Sequence, residues 1–222
     1  MGAVVAHEVI AKLGEVMLPG LLSVPSDARG LVLFAHGSGS SRLSPRNAFV
    51  ARVLQERGFA TFLFDLLTER EDMDYSRRFD VELLAQRLLQ ATRWAGGREE
   101  LRGLPLGYFG ASTGAAAALM AAAELGREVG AVVSRGGRTD LAEPSLDRVL
   151  APTLLIVGEL DLPIRAVNEC ALSLLRCVKE LVVVEGASHL FEEPGALERV
   201  AILAAGWFER HLARASWTRR QA

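Results

Sequence analysis

The chain has 222 residues, half of them hydrophobic and 23% charged. That balance suits one globular domain, residues 1–222, with a substantial core, and carries no disordered signature. A formal net charge of −2 gives no field that would gather nucleic acid or an anionic membrane, so small molecules are the expected partners. The sequence says nothing of oligomeric state.

In chain order, the first 25 residues read as two antiparallel edge strands, Val4 to Ile10 and Val16 to Val24. There is no basic segment followed by an apolar run, so no export signal is expected, and no apolar stretch is long enough to span a bilayer. The cytoplasm is the expected location. Leu31–Ala35 reads as a buried strand stopping at His36-Gly37-Ser38-Gly39-Ser40-Ser41, before a helical pattern from Pro45 to Gly58. Thr61–Phe64 is the next strand. The charged run Thr68 to Asp74 reads as a solvated loop, too short for a lid domain, and Val81 to Trp94 as a helix. Leu106–Phe109 is a strand leading straight into Gly110-Ala111-Ser112-Thr113-Gly114 and an alanine-rich helix, Ala115 to Leu125.

The alternation continues with a strand at Ala131–Val133, a Gly/Arg loop, a strand at Thr153–Val157 and a helix through Leu172. A strand at Leu181–Val184 and a helix from Ala196 to Leu212 close it. Continuous apolar strands alternating with amphipathic helices predict an α/β fold, a mostly parallel twisted sheet with helices on both faces. Cys170 and Cys177 lie too far apart for a disulfide, have no CxxC metal spacing and read as buried free thiols. No metal site and no cofactor motif is visible.

Ser112 is the candidate nucleophile. An attacking hydroxyl must stand clear of the sheet, so the chain turns sharply there, and residues two before and two after must be small. The bland alternative is a serine that merely caps the following helix. The general base is expected to be His189. His7 falls in an edge strand and His211 at the end of the last helix, while His36 belongs to the early glycine-rich loop. His189 stands in Glu185-Gly186-Ala187-Ser188-His189, a loop following a late strand. The acid that orients it is expected at Asp161, after strand Thr153–Val157, with Asp140 and Glu159 as competitors.

Two backbone N–H groups should hold the oxyanion, those of Thr113 and of Ser38, with Gly37 as the alternative to Ser38. The Gly37–Ser40 run could instead cradle phosphate, but it lacks the Lys-Ser/Thr of a P-loop and the third glycine of a dinucleotide fingerprint. Arginines crowd the same end of the sheet. Arg42 and Arg135 are candidate contacts for an anionic substrate, with Arg46 and Arg138 nearby, although a loop arginine is more often solvated or paired, here to Asp140 or Asp65.

These elements resemble the α/β-hydrolase superfamily across nearly the whole chain. The short length, the missing cap domain and the His36–Ser41 loop are most similar to the dienelactone hydrolase branch. The resemblance implies cleavage of ester or lactone bonds through an acyl-enzyme, with no metal or organic cofactor. The best-known members carry a cysteine nucleophile where this chain has Ser112. Thioesters and amides use the same machinery, and a non-catalytic ligand-binding scaffold is the competing class.

Overall fold

A computed structural model describes residues 6–212. Eight strands form one sheet: β1 (His7–Leu13), β2 (Val16–Ser23), β3 (Leu31–Ala35), β4 (Ala60–Phe64), β5 (Leu106–Ala111), β6 (Val129–Arg135), β7 (Thr153–Gly158) and β8 (Lys179–Val184). Their order is β1-β2-β4-β3-β5-β6-β7-β8. β1 and β2 are antiparallel, β2 joins β4 antiparallel, and every later pair is parallel. The expected α/β architecture is present. Val4 and Val5, read as part of the first strand, lie outside the described residues.

The main helices are α1 (Pro45–Glu56), α2 (Glu69–Asp72), α3 (Val81–Gly96), α4 (Thr113–Leu125), α5 (Leu162–Leu174) and α6 (Ala196–His211). Strands β3 and β4 are buried along their whole length because helices cover both faces. Alternate residues of β3 enter different cores. Leu31, Leu33 and Ala35 pack with Phe62, Leu88 and Leu119 on the side of α3 and α4. Val32 and Phe34 pack with Phe109, Val200 and Phe208 on the side of α1 and α6. That period of two follows from the strand pleat.

After β3 the chain moves to β4 on one side, then returns to β5 on the other. The crevice beyond the carboxyl ends of β3 and β5 is therefore a topological switch point, where ligands bind on open α/β sheets. Helix ends point the neighbouring loops toward it. The Ser44 side chain accepts from Asn47 N–H at the start of α1, with Pro45 in the first turn, and Asp80 accepts from Leu83 N–H at the start of α3.

Three local expectations need correction. The charged run after β4 is not a plain loop. Thr68 and Glu71 form a reciprocal capping box that starts α2, and a 3₁₀ turn, Tyr75–Phe79, follows. The Gly/Arg loop after β6 leads into a 3₁₀ segment, Thr139–Arg148, with Pro144 inside it. The cysteines are not both buried: Cys170 is exposed on α5, and Cys177 is half-buried in the connection between α5 and β8.

Candidate active site

Ser112 stands between β5 and α4 with φ +52°, ψ −120°. A residue with a Cβ takes that conformation at a cost of ~1–3 kcal/mol, so the surroundings must enforce it. They do so through backbone. Ser112 N–H donates to the Arg135 carbonyl at 3.1 Å, and Arg138 N–H donates to the Ser112 carbonyl at 3.1 Å. The flanking glycines are required by space. A Cβ at Gly110 would run into the backbone of Ala115, and one at Gly114 into the carbonyl oxygens of Ala35 and His36. Although Ser112 occupies the N-cap position of α4, its side chain makes no capping hydrogen bond. The hydroxyl is thus not spent on ending the helix, which removes the plain capping explanation of the motif.

Asp161 repeats that pattern. It is the N-cap of α5, yet its carboxylate does not cap the helix. It turns to His189, with Oδ2 2.6 Å from the imidazole Nδ1. The Asp161 side chain is 12% exposed and that of His189 37%. A partly buried carboxylate accepting from Nδ1–H fixes the ring with Nε2 as the basic nitrogen. The two loops that carry them are stitched together. Leu160 N–H donates to the Ala187 carbonyl at 3.0 Å, and Gly158 lies so close to the Ala187 and Ser188 carbonyls that a side chain would collide with them.

The competing acids are otherwise engaged. Asp140 is held bidentately by Arg138 at 2.7 and 2.9 Å, and Glu159 Oε2 accepts from Gly186 N–H at 2.8 Å. Of the three carboxylates after these strands, Asp161 is the one brought to His189. The ring also lies against Gly136, in the loop whose ends bond Ser112. His7 is exposed on β1, and His211 packs on Trp207 at the far end of α6.

The loop after β3 closes on the same point. A Cβ on Gly37 would stand 3.0 Å from the Ser112 Cβ, so this glycine permits the approach. Ser38 is exposed beside it, and Thr113 is buried at the first position of α4. The His36 ring, whose role was not visible in the sequence, braces this loop. Nε2 accepts from Leu66 N–H at 3.0 Å, which puts the proton on Nδ1, 3.0 Å from the Gly37 carbonyl. That carbonyl and the Ser38 N–H belong to one planar trans peptide and point in opposite directions. Holding the carbonyl therefore sets the direction of the N–H. Burial lowers the pKa of His36 against smaller raising effects from its bond to Gly37 and from Asp65 and Asp72, so the ring is neutral at pH 7.

The arginines separate clearly. Arg42 is bound to Asp65 by both its backbone N–H and Nη1, each at 2.7 Å, the ion pair that the sequence offered as the alternative to a substrate contact. Arg138 belongs to Asp140, and Arg46 reaches Glu192 at 2.9 Å. Arg135 has no carboxylate partner among the described residues. Among the same residues no group of three His, Cys, Asp or Glu is arranged to hold a metal ion, and no helix is long and apolar enough to cross a membrane.

Comparison with known proteins fits this architecture. No family model matches the chain. Proteins from two strains of Mycobacterium tuberculosis, whose names propose a phosphoribosyl transferase, are each 55% identical over 206 residues. The match takes in 93% of this chain and 46% of theirs, so the chain spans about half the length of these curated relatives. A crystal structure of a dienelactone hydrolase from Anabaena variabilis superposes with a TM-score of 0.91 at 55% identity, covering 95% of this chain and 99% of that one. Est1E from Butyrivibrio proteoclasticus shares the fold alone, with a TM-score of 0.79 at 14% identity over 91% of this chain and 98% of its own. With the relationship to the Anabaena protein running almost end to end, the chain belongs to the dienelactone hydrolase family of the α/β-hydrolase fold.

Proposed function

We propose that the protein is a serine hydrolase that cleaves carboxylic ester or lactone bonds of small soluble substrates through an acyl-enzyme on Ser112. The observation that carries this reading is the pair of unspent N-cap side chains, Ser112 at a strained elbow and Asp161 turned 2.6 Å from His189.

His189 Nε2 takes the Ser112 hydroxyl proton as Oγ attacks the carbonyl carbon, and the carbonyl π pair moves to oxygen. The N–H groups of Thr113 and Ser38 receive that oxyanion, the first with the positive end of the 13-residue α4 behind it. The tetrahedral intermediate collapses, and the imidazolium gives its proton to the departing alkoxide. A water then repeats the sequence on the acyl-enzyme, with His189 accepting its proton and Ser112 leaving as the alcohol. Asp161 keeps the ring oriented throughout and stabilises the imidazolium.

The dienelactone hydrolase relationship supports this reaction class. The name borne by the longer relatives belongs to whole proteins, more than half of whose length lies outside the match, and it is not carried over to this chain. Both cysteines are unpaired, as befits a reducing compartment, and we assign the protein to the cytoplasm. The test is a panel of esters, lactones, thioesters and amides against the purified protein. Burst release of alcohol from esters supports the reading, and absence of hydrolysis across the panel rejects it in favour of a binding scaffold.

A further inference from the structure

Arg135 ends β6 immediately beside the nucleophile elbow, its carbonyl taking the Ser112 N–H. The residue is 8% exposed, and Nε and Nη1 are both shut from solvent without a hydrogen-bond partner among the described residues. A buried guanidinium with no carboxylate among the described residues is costly, because no ion pair offsets the desolvation of its charge. The pKa is pushed down to about 10 by that burial and by the nearby positive charge of Arg46, which still leaves it protonated at neutral pH.

The neighbouring charge is a second cation, Arg46, which an exposed glutamate offsets only in part. Arg46 projects from the first turn of α1, which contains no acidic residue, and its partner Glu192 is 63% exposed. The aromatic face of Phe191 lies 5.9 Å from the Arg135 guanidinium. Phe191 is two residues beyond His189 and is held at φ +57°, so the cation sits beneath the loop that carries the general base. An anionic group meeting Arg135 would thus belong to a molecule in reach of the catalytic crevice.

We propose that Arg135 and Arg46, with the amino end of α1, form an anion subsite that holds a phosphate monoester on the substrate. Arg135 supplies a full uncompensated charge, Arg46 a charge shared with an exposed glutamate, and the helix end a further partial charge. A phosphate dianion balances that sum, whereas a carboxylate leaves positive charge over. This inference rests on the Ser112 hydrolase reading for its chemistry but not for its binding site.

The test therefore has a binding arm and a reaction arm. In the first, inorganic phosphate is titrated by calorimetry into Ser112→Ala protein at fixed ionic strength. Binding is expected, with a loss of about 10-fold or more in affinity on adding Arg135→Met and a smaller loss on adding Arg46→Gln. The Arg46 variant keeps the test open should Arg135→Met fail to fold. Phosphate that does not bind, or binds equally to all three proteins, overturns the subsite.

In the second arm, aryl esters with a phosphate-bearing, carboxylate-bearing or neutral acyl tail are compared. The ratio of kcat/KM for the phosphate ester to that for the neutral ester should exceed one in the parent. It should fall about 30-fold in Arg135→Met. An Arg135-dependent preference for the carboxylate ester overturns the phosphate assignment. If no ester is cut but phosphate binding still requires Arg135, the hydrolase reading fails and the subsite stands.

Discussion

Gly136 lies under the His189 ring so closely that a Cβ there would stand 3.3 Å from both Nδ1 and Cε1, and its φ is +55°. The glycine faces the nitrogen that meets Asp161. Gly136→Ala should push the ring from the carboxylate and strain the backbone, lowering kcat by about 10-fold or more, on the scale reached when catalytic groups are misplaced by ~1 Å. Stability should drop by ~1–3 kcal/mol. Steady-state kinetics and urea unfolding check both; an unchanged kcat would show that the ring does not depend on this contact.

Asp161→Asn should lower kcat by roughly 10⁴, because an amide cannot hold the imidazole in the required tautomer. Asp140→Asn should cost little in kcat, since its carboxylate serves Arg138, although the Arg138 loop loses an ion pair. Parallel kinetics on the two variants decide the ranking, and a larger loss from Asp140→Asn would transfer the acid's role to Asp140.

The segment after β4 is fastened rather than loose. Glu71 pairs with Arg87 at 2.8 Å, with side-chain exposures of 23% and 10%, and Arg78 pairs with Asp72 at 2.9 Å. A pinned helical turn does not open at an oil surface, so the rate on a short-chain ester should rise smoothly through its solubility limit. A jump on crossing into emulsion would identify residues 66–78 as a moving cover.

His36 supplies a pH signature of folding. Burial lowers its pKa in the native state, whereas the unfolded chain binds a proton near pH 6.5. As pH falls below that value, the unfolded state takes up a proton that the native state refuses, so stability is greatest above about pH 6.5 and declines toward pH 5. Urea midpoints at pH 7.5 and 5.5 should differ more in the parent than in His36→Gln. Parallel declines in both proteins would remove His36 as a cause.

Much of this was legible in the chain. Strands β3, β4, β5 and β7 announce themselves as apolar runs because both faces of the central sheet are covered, and the elbow is written in the glycines that its close packing demands. His189 could be reached by elimination, since the other three histidines fall elsewhere in the element order. The capping box Thr68/Glu71 was present in the sequence but hidden inside a charge run. The 3₁₀ segment Thr139–Arg148 buries polar Thr139 and Ser145 beside Ala142 and Leu146 and holds Pro144 inside it, and it packs against α4 and α5. The arginines were least legible. Whether Arg42 meets Asp65, 23 residues away, or Arg135 meets no carboxylate among the described residues, is fixed by which strand ends the sheet order brings together.

The most direct measurement is intact-mass analysis after exposure to a fluorophosphonate, which captures a serine only when a base has activated it and donors stabilise the adduct. One adduct per chain is expected, mapped to Ser112, with labelling and ester hydrolysis lost together in a folded Ser112→Ala variant and kcat reduced by about 10⁶. Stoichiometric labelling of that variant, or a parent that hydrolyses esters without modification at Ser112, would contradict it.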